Sequence, residues 1–146
     1  MSFFTSMKIS SSALTAQRLR MNVLSENLAN AQSTRGDDGG PYRRRDVVFS
    51  AVPAGGLFQG LVDENPATAL RKVQVVDVHK DTSAPRKVYD PSHPDADPAT
   101  GFVEMPNIQV MTEMVNMITA TRAYEANTTA MNQAKNMASK ALEIGR

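Results

Sequence analysis

The sequence predicts an α+β fold: long N- and C-terminal helices packed as a coiled coil, with a small central β-rich domain between them. Residues 3–31 and 107–144 contain no glycine or proline and repeat apolar residues every seven positions, whereas the middle is punctuated by both. The middle also holds valine-rich runs around Val47 and Val75, the composition of strands. Three segments follow: a coiled-coil helix at 1–32, a loop and β-rich domain at 33–106, and a second coiled-coil helix at 107–146.

In the front helix Met7, Leu14, Met21 and Leu28 fall seven apart, Leu24 and Ala31 complete the stripe, and Ala16, Leu19 and Val23 widen it. Residues 33–41, with three glycines and almost no apolar content, predict a flexible connector. Tyr42 to Val52 reads as a strand that Pro53 stops. From Lys72 to His79 a second strand is expected, although its apolar side switches: Val73 and Val75 alternate with Lys72 and Gln74, and then Val76 and Val78 break the alternation. Short extended pieces at 86–89 and 101–105 can add to the sheet, and residues 54–70 carry no regular pattern. In the rear helix Val110, Met117, Tyr124, Met131 and Ala138 form one row, and Ala120, Asn127, Ala134 and Ala141 a second, in the a and d places of a heptad.

The flanks of the stripes suggest what covers them. Residues 107–146 carry only Glu113, Arg122, Glu125, Lys135, Lys140, Glu143 and Arg146 as charges, fewer than a solvated two-stranded coiled coil normally has. Asn, Thr, Gln, Ser and Ala fill the rest, which suits a helix surrounded by other helices, where a full charge would be costly to desolvate. At 1.5 Å per residue the rear helix would reach roughly 55 Å and the front one roughly 40 Å, too long for a domain this small to cover alone. The stripe positions Leu14, Met21, Leu24, Leu28, Val110, Met117, Ala120, Tyr124, Asn127, Met131, Ala134 and Ala138 are therefore expected to form subunit interfaces. A helical hairpin packed on its own small domain fits the same pattern.

Composition excludes several functions. With 41% apolar residues and a formal charge of +1, the 146-residue chain has no global electrostatic footprint for nucleic acid or an anionic membrane. No cysteine is present, which removes disulfide and thiolate-metal chemistry. No stretch approaches a transmembrane span, and the start lacks the features of a cleaved secretory signal. Asp90, His93, Asp95 and Asp97 could suggest a metal site, but prolines scatter their directions and turn hydrogen bonds are the expected use. A calcium loop starting at Asp95 lacks ligands at Ala99 and Pro106. Arg43, Arg44 and Arg45 cannot share one strand face, and a solvated edge or an acidic neighbouring subunit is their expected setting. His79 reads as surface, and Ser10 to Ser12 as a helix face without a catalytic base. Neither a cofactor nor an enzymatic activity is expected.

Read together, these pieces resemble the bacterial flagellar axial proteins, the family of rod, hook and hook-associated subunits. SSALTAQRLRMNVLSENLANAQSTR at 11–35 looks like that family's N-terminal signature. EMVNMITATRAYEANTTAMNQAKNMASKALEIGR at 113–146 is similar to its C-terminal signature, with a Met-rich turn before Arg-Ala-Tyr-Glu-Ala-Asn. GGPYRRRDVVF at 39–49 and VYDPSHPDADPATGFVEMPNIQV at 88–110 resemble segments that mark a proximal-rod member. The resemblance implies a structural subunit of a periplasm-spanning basal-body rod that packs with itself and other rod subunits in a helical tube. It also implies contacts with membrane ring and rod-junction proteins, and export by the flagellar type III apparatus without a cleaved signal. A soluble coiled-coil regulator or export adaptor is the alternative.

Overall fold

The computed structural model describes residues 3–36, 39–54 and 70–145. Helix α1 spans Phe3–Ala29, strands β1 to β4 span Arg45–Pro53, Arg71–Lys80, Arg86–Tyr89 and Phe102–Met105, and helix α2 spans Val110–Ile144. The architecture is α+β, with the terminal helices packed against each other as the heptad rows require. Met21 meets Thr121 while Asn27 meets Glu113, so the two helices run antiparallel.

Both helices are shorter than the segments 1–32 and 107–146 expected for them. Beyond Ala29 the backbone tightens to i−3 bonds, from the Ala31 amide to the Leu28 carbonyl and from the Ser33 amide to the Asn30 carbonyl, and the chain turns away. At the other end residues 107–109 are not helical. Gln109 is extended at φ −94° and ψ 102°, and its carbonyl accepts the first helical bond from the Glu113 amide at 3.0 Å. Ile108 is buried just before the helix, so this extended entry contributes to the core.

The strands make two separate antiparallel hairpins, β1 with β2 and β3 with β4. In the first, Val47 faces Val78 and Phe49 faces Val75, with the register shifting between Val48 and Phe49. Val76 is the extra residue of that bulge. Its insertion returns Val78 to the face of Val73 and Val75, which explains the apolar switch in the sequence. Pro53 closes β1 opposite Arg71 at the strand's end, where its missing amide is tolerated. The unpatterned stretch 54–70 falls mainly at 55–69, outside the described residues.

The first hairpin lies against α1, which gives that helix two packing partners and accounts for its wide apolar stripe. The Val73 amide donates to Ser12 Oγ at 3.2 Å, and the Arg20 guanidinium lies over the Phe49 ring at 5.8 Å. The second hairpin is closed by residues 90–101. Here the Ser92, Asp95 and Ala99 amides donate to the side chains of Asp90, His93 and Asp97, the turn bonding anticipated for this stretch. Gly101, at φ +72°, ends the turn where a Cβ would lie 2.8 Å from the Tyr89 ring.

Candidate assembly surface

Helix α2 presents apolar residues on two faces. The inner face carries the heptad rows. Ala120 is 1% exposed, and Met117, Tyr124, Asn127, Met131, Ala134 and Ala138 are half-buried on the same side. On α1, Leu24 is buried, and Leu14, Met21 and Leu28 are half-buried. These stripes, expected at contacts between subunits, are brought together here within one chain, in the hairpin arrangement that the pattern equally allows. Val110 is the exception, exposed at the mouth of the seam.

Among the described residues, nothing covers the outer face of α2. Met111, Met114, Val115 and Ile118 lie at i, i+3, i+4 and i+7 on one side of the helix. They are all exposed, from 74% at Met111 to 45% at Met114. Met137 and Ile144 lie exposed further along, and Phe4 is exposed at the start of α1. Scattered surface apolar residues are ordinary, but a continuous row on one helix face marks an interaction surface. The sequence rows missed it because Thr121, Arg122 and Glu125 interrupt it after Ile118.

A buried polar cluster anchors the seam at the end where α1 finishes and α2 begins. Asn27 is fully buried, and its amide group caps the backbone of Arg45: Nδ2 donates to the carbonyl at 2.8 Å, and the Arg45 amide donates to Oδ1 at 2.9 Å. Tyr42 adds its hydroxyl to Asn27 Oδ1 at 3.1 Å. Glu113, 2% exposed, accepts from Asn27 Nδ2 at 3.1 Å and from Arg44 Nε at 2.8 Å. Arg44 also reaches Asp46, and Arg45 reaches Glu26. Burial on its own would lower the Arg44 pKa. The hydrogen bond and charge of Glu113, joined by Asp46, outweigh it and hold that pKa above its ordinary value.

The arginine triplet thus diverges to different partners, with only Arg45 inside β1, and its main acidic partner belongs to the same chain. Arg43 alone of the three lies exposed, donating to the Asp81 carbonyl. Glu113 was legible in principle, since it stands seven residues before Ala120 and opens the row that continues through Asn127. Asn127, the expected buried polar residue of the seam, is half-buried and donates instead to its own helix at the Ala123 carbonyl.

On the opposite side of the connector, Thr34 and Arg35 both donate to the Asp95 carboxylate, by Oγ1 at 2.7 Å and Nε at 2.8 Å. Together they hold the Asp95 pKa below its usual range, Arg35 contributing most. Among the described residues, no cluster of three or more His, Cys, Asp or Glu residues is placed to hold a metal, and no helix is long and apolar enough to cross a membrane.

Comparison with known proteins places both chain ends in one family. The family model for flagella basal body rod proteins matches residues 7–36, and the model for the C-terminal part of flagellar basal body rod FlgEFG proteins matches residues 99–144. The flagellar basal-body rod protein FlgC of Bacillus subtilis is 44% identical, with all of both chains covered. That of Borreliella burgdorferi is 42% identical over 99% of this chain and 98% of its own. That of Salmonella typhimurium is 43% identical over 94% of each. At such identity over the whole length, the chain belongs to the flagellar basal-body rod protein FlgC family.

Proposed function

We propose that this chain is a structural subunit of the flagellar basal-body proximal rod, assembling with itself and other rod subunits into a hollow drive shaft that carries motor torque toward the hook. The observation that supports this best is the uncovered outer row of α2, set on a helix whose inner face is already closed by α1. A helix supported from behind and apolar in front can join a wall of helices without first unfolding. The seam positions act twice in this reading: they close the hairpin within a chain and, where half exposed, meet helices of neighbouring subunits. Residues 1–32 and 107–146 form the inner tube, and 33–106 form the smaller outer domain. The role is mechanical and needs neither a cofactor nor a catalytic group. Contacts with ring and junction proteins, and export by the type III apparatus without a cleaved signal, belong to the same proposal.

The test pairs Met114→Glu with Ile118→Glu in one chain. Both positions are solvent-exposed in the isolated subunit, so the variant should stay folded, yet two carboxylates would have to be desolvated in the wall. The expected result is a stable protein absent from detergent-extracted basal bodies, in cells that do not swim. Normal swimming with intact rods would sink the placement of the outer row. A parent protein found only in the cytosol, never with basal bodies, would favour a soluble regulator or export adaptor.

A further inference from the structure

We propose that the buried Arg44–Glu113 pair, with Asn27, is a register lock for the two helices: its role is to select one alignment of α2 on α1 rather than to stabilise the fold. The inference does not depend on the rod assignment. It rests on an ambiguity built into the seam. Rows that repeat every seven residues can pack after a slide of one heptad, about 10 Å along the axis. Here such a slide exchanges Met117 for Tyr124, Tyr124 for Met131, Ala120 for Asn127 and Asn127 for Ala134. Methionine adapts to several packing geometries and alanine fills little space, so the apolar seam discriminates poorly between alignments.

Glu113 ends that ambiguity. The row through it reads Glu113, Ala120, Asn127, Ala134 and Ala141, and only its first member carries a charge. A slide toward the next heptad would set Ala120 against Arg44 and Asn27, leaving Arg44 Nε without its carboxylate and Asn27 Nδ2 with the Arg45 carbonyl alone. It would also strand the Glu113 carboxylate away from its donors. Arg44 and Asn27 are fixed to each other through the Arg45 backbone, so they cannot follow α2 as it moves. Such a wrong alignment is disfavoured by unmet buried polar groups, whereas the right one gains little net stability from a desolvated pair.

Among the described residues, α2 packs chiefly on α1 and not on either hairpin. The β3–β4 hairpin joins the connector through Thr34, Arg35 and Asp95 and buries Val103 completely, and it has no extensive contact with β1–β2 or with either helix. The β1–β2 hairpin, by contrast, is fastened to α1. The Glu113 cluster ties the start of α2 directly to the end of α1 and to the segment that leads into β1.

The absence of cysteine in the chain permits a direct test by cross-linking. Met21 Sδ and Thr121 Oγ1 lie 3.7 Å apart, so the full-length double variant M21C/T121C reports the native register, while M21C/T128C and M21C/M114C report slides of one heptad either way. In the otherwise native chain the M21C/T121C disulfide should form at least about tenfold faster than either slipped pair. In the R44M/E113L background, which replaces the ion pair by apolar side chains, the chain should remain helical while the preference falls below about threefold. E113Q, which keeps an oxygen for Arg44 Nε, should retain most of the preference. A folded R44M/E113L chain that still prefers the native disulfide about tenfold would overturn the proposal. Loss of the helical circular-dichroism signal in R44M/E113L would overturn it too, because the pair would then be carrying the fold.

Discussion

The inner and outer faces of α2 are built from similar residues and end in different environments. Met117 and Ala120 look inward at α1, and Met114 and Ile118, a few residues away on the same helix, lie exposed with no cover among the described residues. Hydrophobicity therefore identifies what must be covered but not what covers it. Order in the chain settles that here: α1 meets the heptad rows that match its own, and the shorter outer row remains for another partner.

The sharpest way to break this contrast is to place the same carboxylate on each face. Ala120→Glu puts a charge where the side chain is fully buried and should cost on the order of 3–5 kcal/mol, measured by urea unfolding of the full chain. Ile118→Glu should change that stability by no more than about 0.5 kcal/mol. Equal losses at both positions would mean that the outer row is packed in the isolated subunit, contrary to its exposure.

A second comparison sets the buried ion pair beside the exposed one. Glu113→Ala leaves Arg44 with Asp46 and solvent, and Asn27 Nδ2 with one acceptor, so the expected loss is about 2–3 kcal/mol, below that of a fully enclosed pair. The Arg44→Met, Glu113→Leu double change should lose much less than the single, since no buried charge is left alone. Chemical unfolding of the three chains decides between this non-additive pattern and a simple sum.

The smallest effect is expected at Asp95. Its pKa is depressed in the folded chain, so its ties to Thr34 and Arg35 contribute stability above the unfolded value of about 3.9 and lose it as pH falls through the lower folded value. Carboxyl-carbon NMR from pH 6 to pH 2 should show Asp95 titrating below ordinary aspartates, and Arg35→Ala should move it upward. A midpoint unaffected by Arg35→Ala would remove that guanidinium as the cause.

Most of the fold was legible because its signals are local. Glycine-free heptad rows mark both helices, β-branched runs mark the strands, and the apolar switch between Val75 and Val78 was already the trace of a bulge. The helix ends were less legible. Periodicity continues through Ala31 and the stretch free of glycine and proline begins at Asn107, but the turn bonds after Ala29 and the extended Gln109 shorten both helices. The polar cluster was hidden for a different reason. Asn27, Arg44 and Glu113 are separated by 86 residues at the extremes, and no local pattern in the sequence connects an arginine just before a strand to a glutamate in the first turn of a helix.

The sequence by itself determined the element types, the α+β class and the family, because each is recorded in short-range spacing or in strings that match as they stand. Only the tertiary structure decided which stripe is spent within the chain and which is left for a partner. It also decided that the acid facing the arginine triplet is Glu113 of the same chain rather than a neighbour's. The physical reason is common to both. Burial and ion pairing depend on which surfaces meet when the ends of the chain close on each other, and a heptad repeat specifies that helices pair without specifying which helix or which register.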